Sequence, residues 1–147
     1  MADLVVVDTC VLQKANAPIE GGMRARRKFA KRLKLLLMIK QGHFIVLTSP
    51  RLLAEYQKQV HTPRNDYIKG FFELLQAPGR AVPNWCSWSG KVRSYATKCR
   101  FPREDYHVLR TAVCDRGSTI LSEERRMIVT DACIHRYLRV HVINPTD

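Results

Sequence analysis

Four segments along the chain carry acidic residues whose carboxylates could act together. Asp8 ends the apolar run LVVVD, Glu55 lies inside SPRLLAEY, Asp105 inside FPREDYHVLRTAV, and Glu123 and Glu124 follow TILS. A group of like charges repels itself and is tolerated mainly where a cation neutralises it. Carboxylate oxygens are hard donors suited to Mg²⁺ or Mn²⁺. Ions held in this way activate water and clamp a phosphate, which is the chemistry of phosphodiester hydrolysis. Each acid also has an ordinary use: Asp8 as a turn former or helix cap, Glu55 as a solvated helix residue, Asp105 as a first-turn acid, and Glu123 and Glu124 as partners of Arg125 and Arg126. What favours chemistry is joint placement, so the elements carrying these residues matter.

Those elements read as alternating strand and helix. Residues 3–8 form a continuous apolar run, expected of a strand covered on both faces. Phe29, Leu33, Leu36 and Leu37 recur at helical spacing over 23–40, with Gly42 as a stop. HFIVLT reads as a second strand, and Ser49 followed by Pro50 as a helix start. A helix is expected over 66–76, weakened by Gly70, and 77–100 reads as a loop or a pair of short elements. A helix restarts after Pro102 with Val108, Leu109, Ala112 and Val113 inward. STILS is a strand, 131–138 a helix and RVHVIN a last strand. The pattern predicts one α/β domain over 1–147, with a mainly parallel central sheet and helices on both faces. In such sheets sites form at the carboxyl ends of the strands, where Asp8, Glu55, Asp105 and one or both of Glu123 and Glu124 can converge.

The chain holds 147 residues, with 25 Lys plus Arg against 13 Asp plus Glu, a net charge of +12. A surplus of that size speaks to a polyanionic partner, nucleic acid before a membrane surface. No lipidation signal or membrane-length apolar run is present. The five cysteines, Cys10, Cys86, Cys99, Cys114 and Cys133, show no C-x-x-C, so neither a disulfide framework nor a zinc ribbon is expected. A zinc site from Cys86, Cys99 and His107 can be drawn but lacks the usual paired spacing. With no signal peptide, the cytoplasm is the expected compartment. His107, two residues past Asp105, should point away from that carboxylate and is assigned no role.

Two basic stretches are candidates for nucleic-acid contact. Residues 24–40 carry eight Lys or Arg, among them Arg24, Arg27, Lys28 and Lys31, and no Asp or Glu. Ordinary exposed helices interleave acids. The second stretch holds Lys91, Arg93, Lys98, Arg100 and Arg103 among Trp85, Trp88, Tyr95 and Phe101, a mixture suited to stacking single-stranded bases, although the same aromatics could be core.

The ordered set of motifs resembles the PIN domain, a metal-dependent ribonuclease family common in the toxin arm of prokaryotic toxin–antitoxin pairs. LVVVDTCVL is similar to its opening strand and first acid, SPRLLAEY to the helix carrying its glutamate, EDYHVLRTAV to its third motif, and TILSEE with VHVINP to its closing motif and final strand. The sequence departs from that pattern twice. Glu124 stands where the family has Asp after Ser-x, leaving Glu123 as the near alternative, and Cys10 stands where a small polar residue is usual. The resemblance implies an Mg²⁺- or Mn²⁺-dependent endoribonuclease acting on single-stranded or structured RNA and leaving 5′-phosphate and 3′-hydroxyl ends. Asp8, Asp105 and Glu124 would be its metal ligands and Glu55 a further one, direct or through water. It also implies an antitoxin partner and self-association. The departures keep open a PIN-like RNA-binding module without activity. A DNA-directed nuclease ranks lower for want of a helical clamp. A haloacid-dehalogenase-type phosphatase would need a second Asp where Cys10 stands.

Overall fold

The structure, a computed structural model, describes residues 2–147. Its strands are β1 (Asp3–Val7), β2 (Phe44–Thr48), β3 (Ala81–Pro83), β4 (Ser118–Leu121) and β5 (Val140–Ile143). The helices are α1 (Thr9–Asn16), α2 (Met23–Lys40), α3 (Pro50–Gln59), α4 (Asp66–Leu74), α5 (Lys91–Lys98), α6 (Tyr106–Ala112), α7 (Arg125–Ile128) and α8 (Asp131–Leu138), with a 3₁₀ turn at Arg103–Asp105 before α6. The strands form one sheet in the order β3-β2-β1-β4-β5, every neighbouring pair parallel.

The centre of the sheet explains its most apolar segment. Val5, Val6 and Val7 are all fully buried, as β-branched residues covered on both faces should be. Right-handed crossovers place the connections that step from β1 out to β3 on one face, and those leading to β4 and β5 on the other. Accordingly α1, α2 and α4 pack on one another, while α5 packs on α8. The chain travels one way from β1 and the other way through β4, so β1 and β4 flank the topological switch point where α/β sheets form crevices.

Local starts and stops follow the sequence closely. Ser49 Oγ accepts from the Leu52 N–H with Pro50 at the first helical position, and Asn65 Oδ1 does the same for Ile68. Gly42, at φ +87°, lets the chain leave α2. Of the two readings of 77–100, the structure has the pair of short elements, a parallel edge strand and a helix. Two expectations are corrected. The inward side of α2 is Leu35, Leu36 and Ile39, whereas Leu37 is 40% exposed. Cys99 and Cys133 are joined in a disulfide that ties the end of α5 to α8, so a bridge exists where none was expected, and Cys99 is unavailable to zinc. Among the described residues no helix is long and apolar enough to cross a membrane.

Candidate active site

Three carboxylates sit at helix starts along the carboxyl edge of the sheet: Asp8 before α1, Asp105 before α6 and Glu124 before α7. None of them caps its helix. The ordinary use of an acid at such a position is to accept from the N2 or N3 amide, and here that use is absent.

Asp8 is held by the neighbouring strand. Its N–H donates to Leu121 O at 2.9 Å, and its Oδ2 accepts from Ser122 Oγ at 2.7 Å and from the Cys10 thiol at 3.3 Å. Ser122 is fully buried and also accepts from the Glu124 N–H at 3.0 Å, so one hydroxyl ties the first acid to the last. Burial raises the Asp8 pKa and the Glu55 charge adds to this, against lowering by Ser122, Cys10 and the Thr9 backbone. Cys10, pushed up to about 12 by burial first and by the Asp8 charge next, stays a neutral thiol and a donor.

Glu55 reaches the same edge through packing of α3. Tyr56, fully buried, donates its hydroxyl to Val7 O at the end of β1, and Ser49 and Thr111 share a hydrogen bond of 2.8 Å that joins α3 to α6. The Glu55 carboxylate accepts from Thr9 Oγ1 and lies 2.7 Å from His107 Nε2. Neither imidazole nitrogen has a well-directed hydrogen-bond partner, so the contact is close but not ideally aligned. His107 first, then Thr9, hold the Glu55 pKa below its ordinary value against the opposing effect of burial.

Asp105 is half-buried, and its pKa rises from 3.8 to about 6, through burial first and then the charges of Asp8, Glu104 and Glu124, with His107 opposing. Between those values the folded protein holds more protons than the unfolded chain, so stability falls as pH rises across that window. In EDTA the melting temperature should therefore drop by about 2–4 °C between pH 5 and 7. This corresponds to about 1 kcal/mol once solvent screening of a half-exposed carboxyl is allowed for. Asp105→Asn should flatten that slope in thermal unfolding, and an unchanged slope would remove Asp105 as its source. Glu55 acts with the opposite sign and in a lower window: its contribution is present above about 4.5 and is lost as pH falls through its depressed pKa.

Glu123 is placed elsewhere. Both its oxygens accept from Arg32 of α2, at 2.8 and 2.7 Å, with Lys14 at 3.6 Å. This carboxylate is committed to an ion pair, which leaves Glu124, exposed at the rim, as the acid of that motif able to face a ligand. Thr9 and His107, the latter given no role from the sequence, are neighbours of these carboxylates that the motif spacing did not reveal, whereas Ser122 is the serine of the Ser-x motif. Ser122 had the clearest signal, a small polar residue directly at a strand end.

The basic candidates are distributed on the surface. Arg24, Arg27, Lys31, Lys91, Arg93, Arg100 and Arg103 are exposed and Lys28 is half-buried. Lys31 donates to Thr146 O at 3.1 Å. Of the four aromatics, Phe101 is core, Tyr95 stacks on Tyr137 and Trp88 packs on Tyr106. Trp85 is 43% exposed, with the Arg110 guanidinium 3.9 Å from its ring centroid.

No model of a known protein family matches the chain, and no curated protein is detectably similar to it in sequence.

Proposed function

We infer that the chain is a PIN-like endoribonuclease that uses Mg²⁺ or Mn²⁺. The observation that carries this reading is the set of non-capping carboxylates Asp8, Asp105 and Glu124 at the switch point of a parallel sheet. Burial first, and then the charges of Asp8, Glu104 and Glu124, raise the Asp105 pKa inside a protein of net charge +12, so part of the shift is repulsion within this set. A divalent cation would relieve that repulsion, and the donor set, all hard oxygens, fits one. Asp8, Asp105 and Glu124 would hold the ion, with Glu55 joining directly or through water. Among the described residues no three His, Cys, Asp or Glu side chains already stand close enough to hold an ion, so Asp105 and Glu124 would have to turn toward it.

Bound there, the ion supplies neutralisation of the scissile phosphate and activation of water. The chain supplies the rest. Ser122 and Cys10 aim Asp8, Thr9 and His107 fix Glu55 in its charged form, and the basic surface holds RNA, single-stranded or structured. Ends bearing 5′-phosphate and 3′-hydroxyl, an antitoxin partner and a homodimer belong to this reading through the resemblance. So does a cytoplasmic setting, in which Cys99 and Cys133 would be kept reduced.

A second reading, an RNA-binding module without cleavage, draws on the same absence of a ready three-ligand geometry and on the His107 contact that already satisfies Glu55. Cleavage of a labelled RNA pool with Mn²⁺ and with EDTA separates the two. Metal-dependent cleavage supports the nuclease, whereas equal RNA binding under both conditions with no cleavage supports the module.

Both readings require basic contacts to phosphate. The Arg24→Gln/Arg27→Gln/Lys28→Gln protein should lower the slope of log K against log salt by about 2, at roughly 0.7 per lost contact on single strands. Fluorescence anisotropy between 50 and 200 mM salt measures this. An unchanged slope would take the amino-terminal half of α2 out of the interface.

A further inference from the structure

The opposite end of the sheet carries a charged cavity that the acidic site does not use. It has a volume of about 250 Å³, opens among the amino ends of β1, β4 and β5, and its lining includes Arg116, Arg139, His135, His141, Asp3 and Ser118. All strands are parallel, so it is separated from Asp8 by the length of a strand of four or five residues, roughly 15 Å.

Its charge is unbalanced. Two guanidiniums face a single lining carboxylate, Asp3. Among the described residues neither Arg116 nor Arg139 lies within ion-pair distance of an acid. Each is instead anchored to a neutral carbonyl, Arg116 Nη2 donating to Ala2 O and Arg139 Nη1 to Asp115 O at 3.0 Å. One such contact orients a group with five N–H donors without neutralising it. The imidazoles of His135 and His141 stack, with centroids 3.6 Å apart and planes 14° from parallel, and Asp131 Oδ1 lies 3.2 Å from His141 Nδ1.

The backbone is also shaped to bring the two arginines together. Gly117, at φ +81°, approaches Arg139 so closely that a Cβ there would lie 3.0 Å from Arg139 O. Arg139 follows α8 in the left-handed conformation, φ 58°, at a position where glycine is the ordinary residue. An arginine held there against its backbone preference directs attention to its side chain.

We propose that this cavity binds a phosphate group. Guanidinium forks match phosphate oxygens bidentately, and the volume lies below the 300–1,000 Å³ usual for drug-sized ligands, which suits a phosphate bearing at most a single nucleoside. The group comes either from free phosphate or a mononucleotide, or from the 5′ end of a polynucleotide. The proposal is independent of nuclease activity.

Isothermal titration of the full chain with inorganic phosphate, AMP, and matched 5′-phosphorylated and 5′-hydroxyl oligoribonucleotides tests it. The proteins compared are wild type, Arg116→Gln, Arg139→Gly and the distant surface control Lys58→Gln. Arg139→Gly relieves the left-handed strain, so its melting temperature should hold or rise while phosphate binding weakens at least tenfold, which separates lost binding from lost folding. Arg116→Gln should weaken binding likewise, and Lys58→Gln should bind as wild type does. A preference for the 5′-phosphorylated oligonucleotide that both arginine variants lose makes the polynucleotide end the source. Equal binding of the two oligonucleotides, with phosphate or AMP bound, makes the free compound the source. Failure of phosphate, AMP and the 5′-phosphorylated oligonucleotide all to bind overturns the proposal, as does undiminished binding in Arg139→Gly.

Discussion

Asp8→Asn should abolish metal-dependent RNA cleavage, by at least about 100-fold or 2.7 kcal/mol of transition-state stabilisation, while leaving the protein as stable as wild type or more so. The two effects have one cause. Asp8 is buried and lies in the field of Glu55 and Asp105, so its charge is unfavourable to the fold and, on the proposed function, would serve a bound cation. An asparagine carbonyl can still accept from Ser122 Oγ, which preserves the tie between β1 and the loop after β4. Removing the charge also lowers the Asp105 pKa, because the Asp8 charge is among its raising causes. Cleavage by identically purified wild type and variant, beside their melting curves, checks this. Equal cleavage by both would mean a contaminating nuclease and would sink the acidic site. Loss of cleavage together with unfolding would mean that Asp8 is structural.

Arg32→Met should cost about 3 kcal/mol of stability. Arg32 and Glu123 form a two-pronged ion pair with side-chain exposures of 11% and 5%, and removing the arginine strands a buried carboxylate, a loss usually of 3–5 kcal/mol. Lys14, at 3.6 Å but half exposed, compensates in part, which sets the expectation at the low end. The Arg32→Met/Glu123→Gln double variant should recover most of the loss, since a buried pair replaced by neutral groups is often near neutral. Urea unfolding of the two single variants and the double completes the cycle. Losses that simply add would show that the pair is not coupled, and Glu123 would return as a candidate ligand.

Much of the architecture is legible along the chain because it rests on near-neighbour physics. Three consecutive β-branched valines in a short run favour a strand covered on both faces, Ser49-Pro50 starts a helix by satisfying an amide and presetting φ, and Ile134 and Leu138 repeat one turn apart on the buried side of α8. Alternation of such segments implies a parallel sheet, and the carboxyl-edge rule then brings Asp8, Glu55, Asp105 and one or both of Glu123 and Glu124 to one rim. Elements with little local signal are less legible: β3 is three residues ending in Pro83 and α5 buries only Ala96, so 77–100 reads equally as a loop or as two short elements, and α1, starting directly at the end of a strand, has no separate signal.

Other features depend on partners far away in sequence, and no periodicity encodes them. Glu123 and Glu124 are adjacent and chemically alike. They are told apart by Arg32, 91 residues earlier, which α2 brings against the first and not the second. His107 meets Glu55 because α6 packs beside α3, and Cys99 meets Cys133 because α5 lies on α8. Charge and residue type along the chain set which groups can attract, but the strand order β3-β2-β1-β4-β5 sets which of them come within reach. Ion pairs, disulfides and carboxylate repulsion act over a few ångströms, so their outcome follows the packing of helices on the sheet.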